Sequence, residues 1–276
     1  MLGRRLLGLT IIVAFFSLAG WGLFRFYRMF EPDRHGAKVT HFTIKSALVG
    51  RSLEEIVVAP KGGGVGRPLL VLLPGRGSPP GSYLTKYWFD GLARLGSRAP
   101  DLLLVDGGDH SYYHDRADGR WGSYVLNEAI PAAVSRLGAD RGRIAIGGIS
   151  MGGFGALRFG LQSPGLYCAV GGHSPAIWRT GGETPQGAFD NAEDFDRNNV
   201  IALAAARYRP FGRTLVWIDV GNQDPFVSAD SELAGVLRAH GQRITFHVWP
   251  GSHSGSYWNK HIDRYLRFYA EALADC

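Results

Sequence analysis

The stretch "GGISMGGFGAL" at residues 147–157 places a serine between two glycines in the pattern Gly-x-Ser-x-Gly. The run "RIAIGGI" before Ser150 has the composition of a buried strand, and "MGGFGALRFGLQ" after it is typical of a helix. A strand, a sharp turn and a helix form the context that exposes a nucleophilic serine. Gly148 and Gly152 fit this interpretation, because such a turn leaves no room for Cβ atoms. In a chain with 39 glycines the motif also arises by chance, so its surroundings must decide.

The rest of the chain alternates short apolar runs with helical patterns. Six runs rich in Val, Ile and Leu are typical of buried parallel strands: "PLLVLLPG", "DLLLVDGG", "RIAIGGIS", "LYCAVGGHS", "TLVWIDVG" and "ITFHVWPG". Helices are predicted at residues 83–95, 124–137, 153–162, 229–240 and 256–273. Two β-rich runs at residues 40–50 and 52–64, with a turn signal at Gly50, predict an antiparallel hairpin. We therefore predict an α/β fold with a mostly parallel central sheet flanked by helices.

Two later strands end in residues that complete a catalytic serine. A serine hydroxyl is a poor nucleophile at neutral pH and needs a base that an acid holds in place. Asp224 follows "TLVWIDVG", and His253 follows "ITFHVWPG". The resulting order Ser, Asp, His is the one found in α/β-hydrolases. Three independent placements therefore agree on one catalytic site.

Each partner of the serine has a competitor. Asp219 lies within a strand pattern, so Asp224 in the following loop is the better acid. His247 also lies within a strand and is expected to pack or to face solvent. His173 follows another strand, and the sequence leaves open whether it lines the pocket or is structural.

The chain resembles the esterase D-type branch of the α/β-hydrolases, which includes S-formylglutathione hydrolases and the antigen 85 mycolyltransferases. The matching pieces are "GGISMGGFGAL" for the nucleophile, "DVGNQDPF" for the acid, "GSHSGSYW" for the histidine and "VDGGDHSYYHDRADGRWGSYVLNEAIPA" for a pocket-side loop and helix. The resemblance runs from about residue 40 to the end. It implies that Ser150, Asp224 and His253 are catalytic and that no cofactor is needed.

The resemblance also implies an oxyanion hole. Its donors would be the backbone N–H of Met151 and that of Arg76 in "LLPGRGS". Pro74 departs from the family pattern, since many relatives carry histidine or aspartate there. Proline cannot donate a hydrogen bond at this position.

The N-terminal sequence favours an export segment, with a buried N-terminal helix of the domain as the alternative interpretation. Arg4 and Arg5 precede an uncharged apolar run from Leu6 to about Phe24, which is marginal for a membrane span and long for a signal peptide. We predict an apolar helix that acts as a membrane anchor or signal segment within residues 1–37, including a linker. The catalytic domain follows at 38–276. The enzyme is expected outside the cytoplasm, either anchored to the cell membrane or secreted after cleavage.

Composition excludes several other classes. The net charge of +6 comes from scattered basic residues without a Lys/Arg run, which argues against nucleic-acid binding and suggests a surface near anionic lipid. Cys168 is expected in the core and Cys276 in a loose tail, and sequence alone cannot pair them. No metal is predicted, because the acid and histidine residues between 109 and 118 lack an organising spacing. The expected substrate partner is a small-molecule or lipid ester.

The leading hypothesis is a serine carboxylic-ester hydrolase that works through an acyl-enzyme intermediate. An acyltransferase with the same triad is the closest alternative, and a catalytically silent binding module is a further one. Five aromatic residues are candidates for an apolar substrate pocket, although aromatic residues in such positions more often belong to the core: Tyr112, Tyr113, Trp121, Trp178 and Trp258. Residues 179–208 interrupt the strand–helix rhythm and are predicted to be an insertion near the mouth of the site.

Overall fold

The computed structural model describes residues 31–276, and within them an eight-stranded sheet carries the fold. In chain order the strands are β1 (Lys38–Lys45), β2 (Ser52–Ala59), β3 (Leu69–Leu73), β4 (Asp101–Leu104), β5 (Ile144–Ile149), β6 (Ala169–His173), β7 (Leu215–Gly221) and β8 (Ile244–Trp249). Their spatial order is β1-β2-β4-β3-β5-β6-β7-β8. Strands β3 to β8 are parallel, while β1 and β2 form the predicted antiparallel hairpin. The prediction of an α/β-hydrolase sheet is confirmed.

Helices cover both faces of this sheet. They are α1 (Lys86–Leu95), α2 (Trp121–Tyr124), α3 (Ile130–Leu137), α4 (Met151–Gln162), α5 (Ala192–Asn198), α6 (Val200–Ala205), α7 (Val227–Ala239) and α8 (Gly255–Ala274), with a π turn at Val125–Ala129 joining α2 to α3. One hydrophobic cluster packs α3, α4 and α7 on one face, and a second packs α1 and α8 on the other. Residues Arg34–Cys276 form one compact unit that holds the whole sheet and both clusters, so this part contains what its own folding requires.

The predicted helices are correct except near their ends. The helix predicted at residues 124–137 begins earlier, at Trp121, and contains the π turn. Helix α4 begins at Met151 rather than at residue 153, with Gly152 and Gly153 inside it. A Cβ at Gly152 would overlap the carbonyl oxygen of Leu73. Close packing against β3 therefore overrides the low helix propensity of glycine.

The expectation of a loose Cys276 is wrong. Cys276 forms a disulfide with Cys168, across a Cα–Cα distance of 5.7 Å and a sequence separation of 108 residues. Cys168 is buried, as predicted, and lies directly before β6. The bond therefore ties the end of α8 to the sheet.

Two further expectations concern membranes and metals. The predicted N-terminal apolar helix lies outside the described residues. Within residues 31–276, no helix combines the length and apolarity that a membrane crossing requires. The same residues contain no cluster of His, Cys, Asp or Glu suited to a metal ion, and His114 pairs instead with Asp194.

Candidate active site

Ser150 occupies a strained turn between β5 and α4. Its backbone has φ 57° and ψ −116°, a conformation that costs a non-glycine residue on the order of 1–3 kcal/mol. Hydrogen bonds hold the turn, since the Ser150 N–H donates to the His173 carbonyl (3.0 Å) and the Ala176 N–H donates to the Ser150 carbonyl (3.0 Å). A Cβ at Gly148 would lie 2.5 Å from the Leu73 carbonyl oxygen. The glycines of the motif are thus required by the close approach of β3.

A chain of hydrogen bonds links Ser150 to His253 and Asp224. The Ser150 Oγ–H donates to His253 Nε2 (2.9 Å), and His253 Nδ1–H donates to Asp224 Oδ2 (2.8 Å). The imidazole tautomer follows from Asp224, because an ionised carboxylate only accepts. Residues that sequence analysis selected from three separate loops therefore meet at one point, at the carboxyl ends of β5, β7 and β8.

The neighbours of this chain fix its orientation. The second oxygen of Asp224, Oδ1, accepts from the Phe226 N–H (3.0 Å), and the Asp224 side chain is buried. Rings of Phe226 and Trp258 contact the His253 ring at centroid distances of 5.2 and 5.0 Å, both edge to face. About a quarter of the His253 side chain remains exposed (24%), so its ring is reachable from solvent.

The loop after β3 lies against Ser150. An added Cβ at Gly75 would be 3.6 Å from the Ser150 Cβ, and Arg76 follows at the rim of the cleft. Met151 is the first residue of α4, so its amide has no acceptor within the helix. The structure thus brings both predicted oxyanion residues to the serine.

Two tyrosines hold this loop in spite of the unusual Pro74. The Tyr113 hydroxyl donates to the Pro74 carbonyl (3.0 Å), and the Tyr83 hydroxyl donates to the Leu73 carbonyl (2.8 Å). Both rings are buried, and burial raises the pKa of each hydroxyl, so both remain donors. Sequence analysis assigned no role to Tyr83 and placed Tyr113 among pocket or core candidates. Tyr83 is the first residue of the helix predicted at 83–95, and that pattern gave no signal of this contact, because the observed helix begins only at Lys86.

A cleft of about 500 Å³ opens over Ser150. Apolar side chains of Tyr83, Trp88, Ile149 and Ile262 form part of its wall, together with polar Ser78, Ser82, Thr85 and Asn259. Thr85 Oγ1 and Trp258 Nε1, both on lining residues, have no hydrogen-bond partner within the described chain. The cleft is therefore largely apolar but retains polar atoms for a substrate.

The origin of this wall differs from the sequence expectation. Of the five candidate aromatic residues, Trp258 lines the cleft, whereas the remaining four are buried in the core. The insertion at residues 179–208 follows β6 at the same edge of the sheet, but the lining around Ile149 and Ser150 comes from residues 75–88 and 253–262 instead. Segments flanking α1 and the start of α8 thus shape the site.

The competing residues have structural roles. Asp219 and His173 pair with each other in the core, with the His173 Nδ1–H donating to Asp219 Oδ1 (2.7 Å). His247 stacks on Trp249 at a ring distance of 4.4 Å, and burial lowers its pKa. The question left open for His173 is answered by its complete burial.

Comparison with known proteins identifies a family and several similar structures. A family model described as putative esterase matches residues 104–269. An acetyl esterase from Caldicellulosiruptor saccharolyticus is 26% identical over 205 residues, covering 66% of this chain and 76% of that protein. A ferulic acid esterase structure superposes with a TM-score of 0.75 at 21% identity, covering 87% of this chain and 100% of the other.

An S-formylglutathione hydrolase from Agrobacterium tumefaciens also has the same fold. Its structure superposes with a TM-score of 0.73 at 19% identity, covering 87% of this chain and 96% of that one. At this level of identity the structural likeness concerns the fold alone, whereas the family model spans more than half of the chain. The chain therefore belongs to the putative esterase family of α/β-hydrolases, and it is an esterase.

Proposed function

We propose that this esterase hydrolyses carboxylic esters through an acyl-enzyme formed on Ser150. The observation that carries the proposal is the continuous hydrogen-bond chain from Ser150 Oγ through His253 to Asp224, beneath an open cleft. Nucleophile, base and orienting acid in this geometry are what acyl transfer by serine requires.

The reaction follows from these positions. Ser150 Oγ attacks the ester carbonyl carbon while its proton passes to His253 Nε2. Collapse of the tetrahedral intermediate breaks the bond to the alcohol oxygen, which takes that proton from His253 and leaves. Water then attacks the acyl-enzyme, gives a proton to His253 and releases the carboxylic acid, after which the proton returns to Ser150. Asp224 keeps His253 in the tautomer that accepts from serine and stabilises the imidazolium between these steps.

The negative charge on the tetrahedral oxygen needs preorganised donors. We assign them to the backbone amides of Met151 and Arg76, because both residues border Ser150 and the Met151 amide opens a helix. Loss of one such donor typically raises the barrier by about 3 kcal/mol. The tyrosine contacts to the carbonyls of Leu73 and Pro74 support this assignment, since they hold the Arg76 loop in place.

A burst assay tests the proposal. Acetate, butyrate and octanoate esters of p-nitrophenol should each give a burst of one p-nitrophenol per active site wherever deacylation is slower than acylation. Ser150→Ala should abolish burst and turnover, while Ser82→Ala, which removes a hydroxyl from the same cleft, should keep both. A fluorophosphonate probe should label the parent chain and the Ser82 variant alone.

Two results would contradict this assignment. Undiminished labelling of the Ser150→Ala variant would place the nucleophile elsewhere. A burst followed by turnover that depends on an added alcohol would make acyl transfer, rather than hydrolysis, the principal reaction.

We also propose that the enzyme is exported, with residues 1–37 serving as anchor or signal segment and linker. The disulfide between Cys168 and Cys276 supports this location, because structural disulfides persist in oxidising compartments. Thiol alkylation of protein from its native cells should leave both cysteines unmodified until a reductant is added. Alkylation of both without reductant would contradict export.

A further inference from the structure

The edge of the sheet opposite the active site carries an unusual combination of exposed arginines and exposed apolar side chains. We call it the amino edge and define it as the segments that precede β3 to β8 together with the start of β1. We propose that the amino edge docks on a membrane surface rich in anionic phospholipid, with a cleft between the starts of β7 and β8 receiving a lipid phosphate. Docking through this edge is independent of the esterase mechanism.

Strand direction brings these segments together. Strands β3 to β8 are parallel, so the chain enters all of them at one edge and leaves them at the other, where Ser150 lies. The start of β1 lies at the same edge. Lys38 at the start of β1 pairs with Ala59 at the end of β2, and the neighbouring Val58 pairs with Leu102 near the start of β4. Basic residues that are scattered along the sequence thus share one surface.

The cleft in this edge has a volume of about 260 Å³ and is lined by Arg209, Arg213 and Arg243. None of these three pairs with a carboxylate within the described chain, whereas carboxylates do pair with Arg94, Arg116, Arg120, Arg143, Arg179 and Arg197. Guanidinium groups bind phosphate oxygens in bidentate geometry. Three unpaired guanidiniums around one concavity therefore suit a phosphate group.

Hydrogen bonds between the two flanking segments make this cleft a defined structure. The Arg209 N–H donates to the His240 carbonyl (2.8 Å), and the Phe211 N–H donates to Gln242 Oε1 (3.0 Å). Gln242 Nε2 in turn donates to the Thr214 carbonyl (3.3 Å). The backbone that carries the three arginines is consequently fixed before any ligand arrives.

The wider amino edge is positively charged, like the arginine cleft. Exposed basic residues surround the cleft or lie along the edge: Lys38, Lys61, Arg98, Arg141, Arg207 and Arg238. Among the acids there, Asp140 pairs with Arg143, and Asp101 is buried with its pKa raised to about 6 by burial. Glu271 and Asp275 lie at the end of α8, which the disulfide holds to this edge. Positive charge therefore prevails.

Apolar exposure distinguishes a lipid partner from a nucleic acid. Six large hydrophobic residues are exposed in the described chain, and four lie at the amino edge: Val65 (90%), Tyr208 (70%), Leu166 (60%) and Leu215 (45%). Tyr208 and Leu215 border the arginine cleft in sequence, and the Arg209 guanidinium lies over the Tyr208 ring at 5.4 Å. Aliphatic side chains beside basic ones suit the headgroup region of a bilayer, whereas nucleic acids favour stacking aromatics.

The placement has a functional consequence. Strands of five to seven residues at about 3.3 Å each put Ser150 on the order of 20 Å from this edge. The active-site cleft would then open away from the membrane, towards esters in the aqueous phase.

Vesicle sedimentation of residues 34–276 tests the proposal without the apolar run. We expect binding to phosphatidylcholine vesicles containing about one third phosphatidylglycerol, weakening as salt rises, and little binding to phosphatidylcholine alone. Changing Arg209, Arg213 and Arg243 together to Gln should weaken binding on the order of 100-fold. Tyr208→Ser should weaken it by a smaller factor with an unchanged salt dependence.

A matched variant controls for net charge. Arg120, Arg179 and Arg197 lie on exposed segments at the opposite edge, and changing all three to Gln removes the same charge. Vesicle binding should survive in this variant, and both triple variants should retain the turnover of a soluble ester. Three results would each overturn the proposal. The first is an equal loss of vesicle binding in the two triple variants, and the second is vesicle binding that does not depend on the phosphatidylglycerol content. The third is binding of an RNA oligonucleotide as tight as that of the vesicles.

Discussion

Two histidine–aspartate pairs lie at neighbouring strand ends, one facing a serine and the other a tyrosine. In the first, His253 bonds Asp224 at 2.8 Å and presents Nε2 to Ser150 at 2.9 Å. In the second, His173 bonds Asp219 at 2.7 Å and presents Nε2 to the Tyr269 hydroxyl at 2.9 Å. The pairs are alike in chemistry, and their surroundings separate them.

The difference lies in burial and in the number of donors. Asp219 also accepts from Trp217 Nε1 (2.8 Å) and from the hydroxyls of Tyr257 (2.9 Å) and Tyr265 (2.7 Å). The His173 side chain is 1% exposed, against 24% for His253. A histidine–aspartate pair becomes catalytic when a cleft brings substrate to it, and a pair surrounded by protein donors instead fastens α8 to the sheet.

Replacing each of the two histidines should give the largest difference in effect between the two pairs. His253→Ala should lower kcat by a factor on the order of 10⁶ with little change in stability, because the base is lost and its side chain is partly exposed in the cleft. His173→Ala should instead reduce the free energy of unfolding by about 3 kcal/mol, since Asp219 loses a buried partner. Esterase kinetics and urea denaturation of both variants measure the two effects. A loss of kcat by His173→Ala in fully folded protein would contradict the division of roles.

Substitutions of the two aspartates should differ in the same way, with a smaller effect on the rate. Asp224→Asn should lower kcat by about 10⁴, because an amide stabilises the wrong tautomer of His253. Asp219→Asn should leave kcat within about tenfold of the parent and lower the thermal midpoint, because its four donors lose an ionic acceptor. Comparable kcat values for the two variants would show that Asp224 is not the acid of the site.

The carboxyl group of Asp230 interacts electrostatically with the aspartates of both pairs, Asp224 and Asp219. This carboxyl, on α7, is fully buried without a hydrogen-bond partner in the described chain, and burial followed by the charges of Asp224 and Asp219 raises its pKa well above 3.8. A raised pKa in the folded state means that the contribution of Asp230 to stability is greatest below pH 3.8 and falls as pH rises towards the folded-state pKa. Asp230→Asn should therefore remove a decline of up to about 1.4 kcal/mol per pH unit.

Urea denaturation at about pH 4.5 and pH 7 measures this slope, and the comparison of slopes cancels any constant cost of the amide. Parallel pH dependence in parent and variant would mean that Asp230 does not titrate in this range.

The smallest expected effect concerns Tyr269, which contacts the buried histidine as Ser150 contacts His253. Tyr269→Phe removes the donor to His173 Nε2 and should cost about 1–2 kcal/mol of stability without changing kcat. Tyr208→Phe, at an exposed tyrosine, is the matched control and should be neutral. A kcat change in the Tyr269 variant would connect the buried pair to catalysis.

Several parts of the site were predictable because their signals are local. The motif around Ser150 combines strand, turn and helix patterns within twenty residues, and the structure has this order. Asp224 and His253 could be selected because each follows a recognisable strand. Asp219 was set aside on the same ground, and it does lie inside β7.

Other parts depend on contacts between distant segments. Tyr83 and Tyr113 hold the loop beside Ser150, but nothing in their local sequence indicates the carbonyl each one reaches. Trp258 was one of five aromatic candidates, and only the packing of the helices places it in the cleft. Cysteine pairing likewise requires the end of α8 to return to the start of β6.

The sequence by itself determined the order of strands and helices, the strained serine turn and the three residues that meet beside it, because hydrophobic periodicity and glycine placement act over short distances along the chain. Tertiary structure alone decided which histidine–aspartate pair is exposed, which cysteines meet and which arginines share the amino edge. These features join residues about one hundred positions apart, as in His173 with Tyr269 and Cys168 with Cys276. Their proximity follows from strand order and helix packing, which no local pattern encodes.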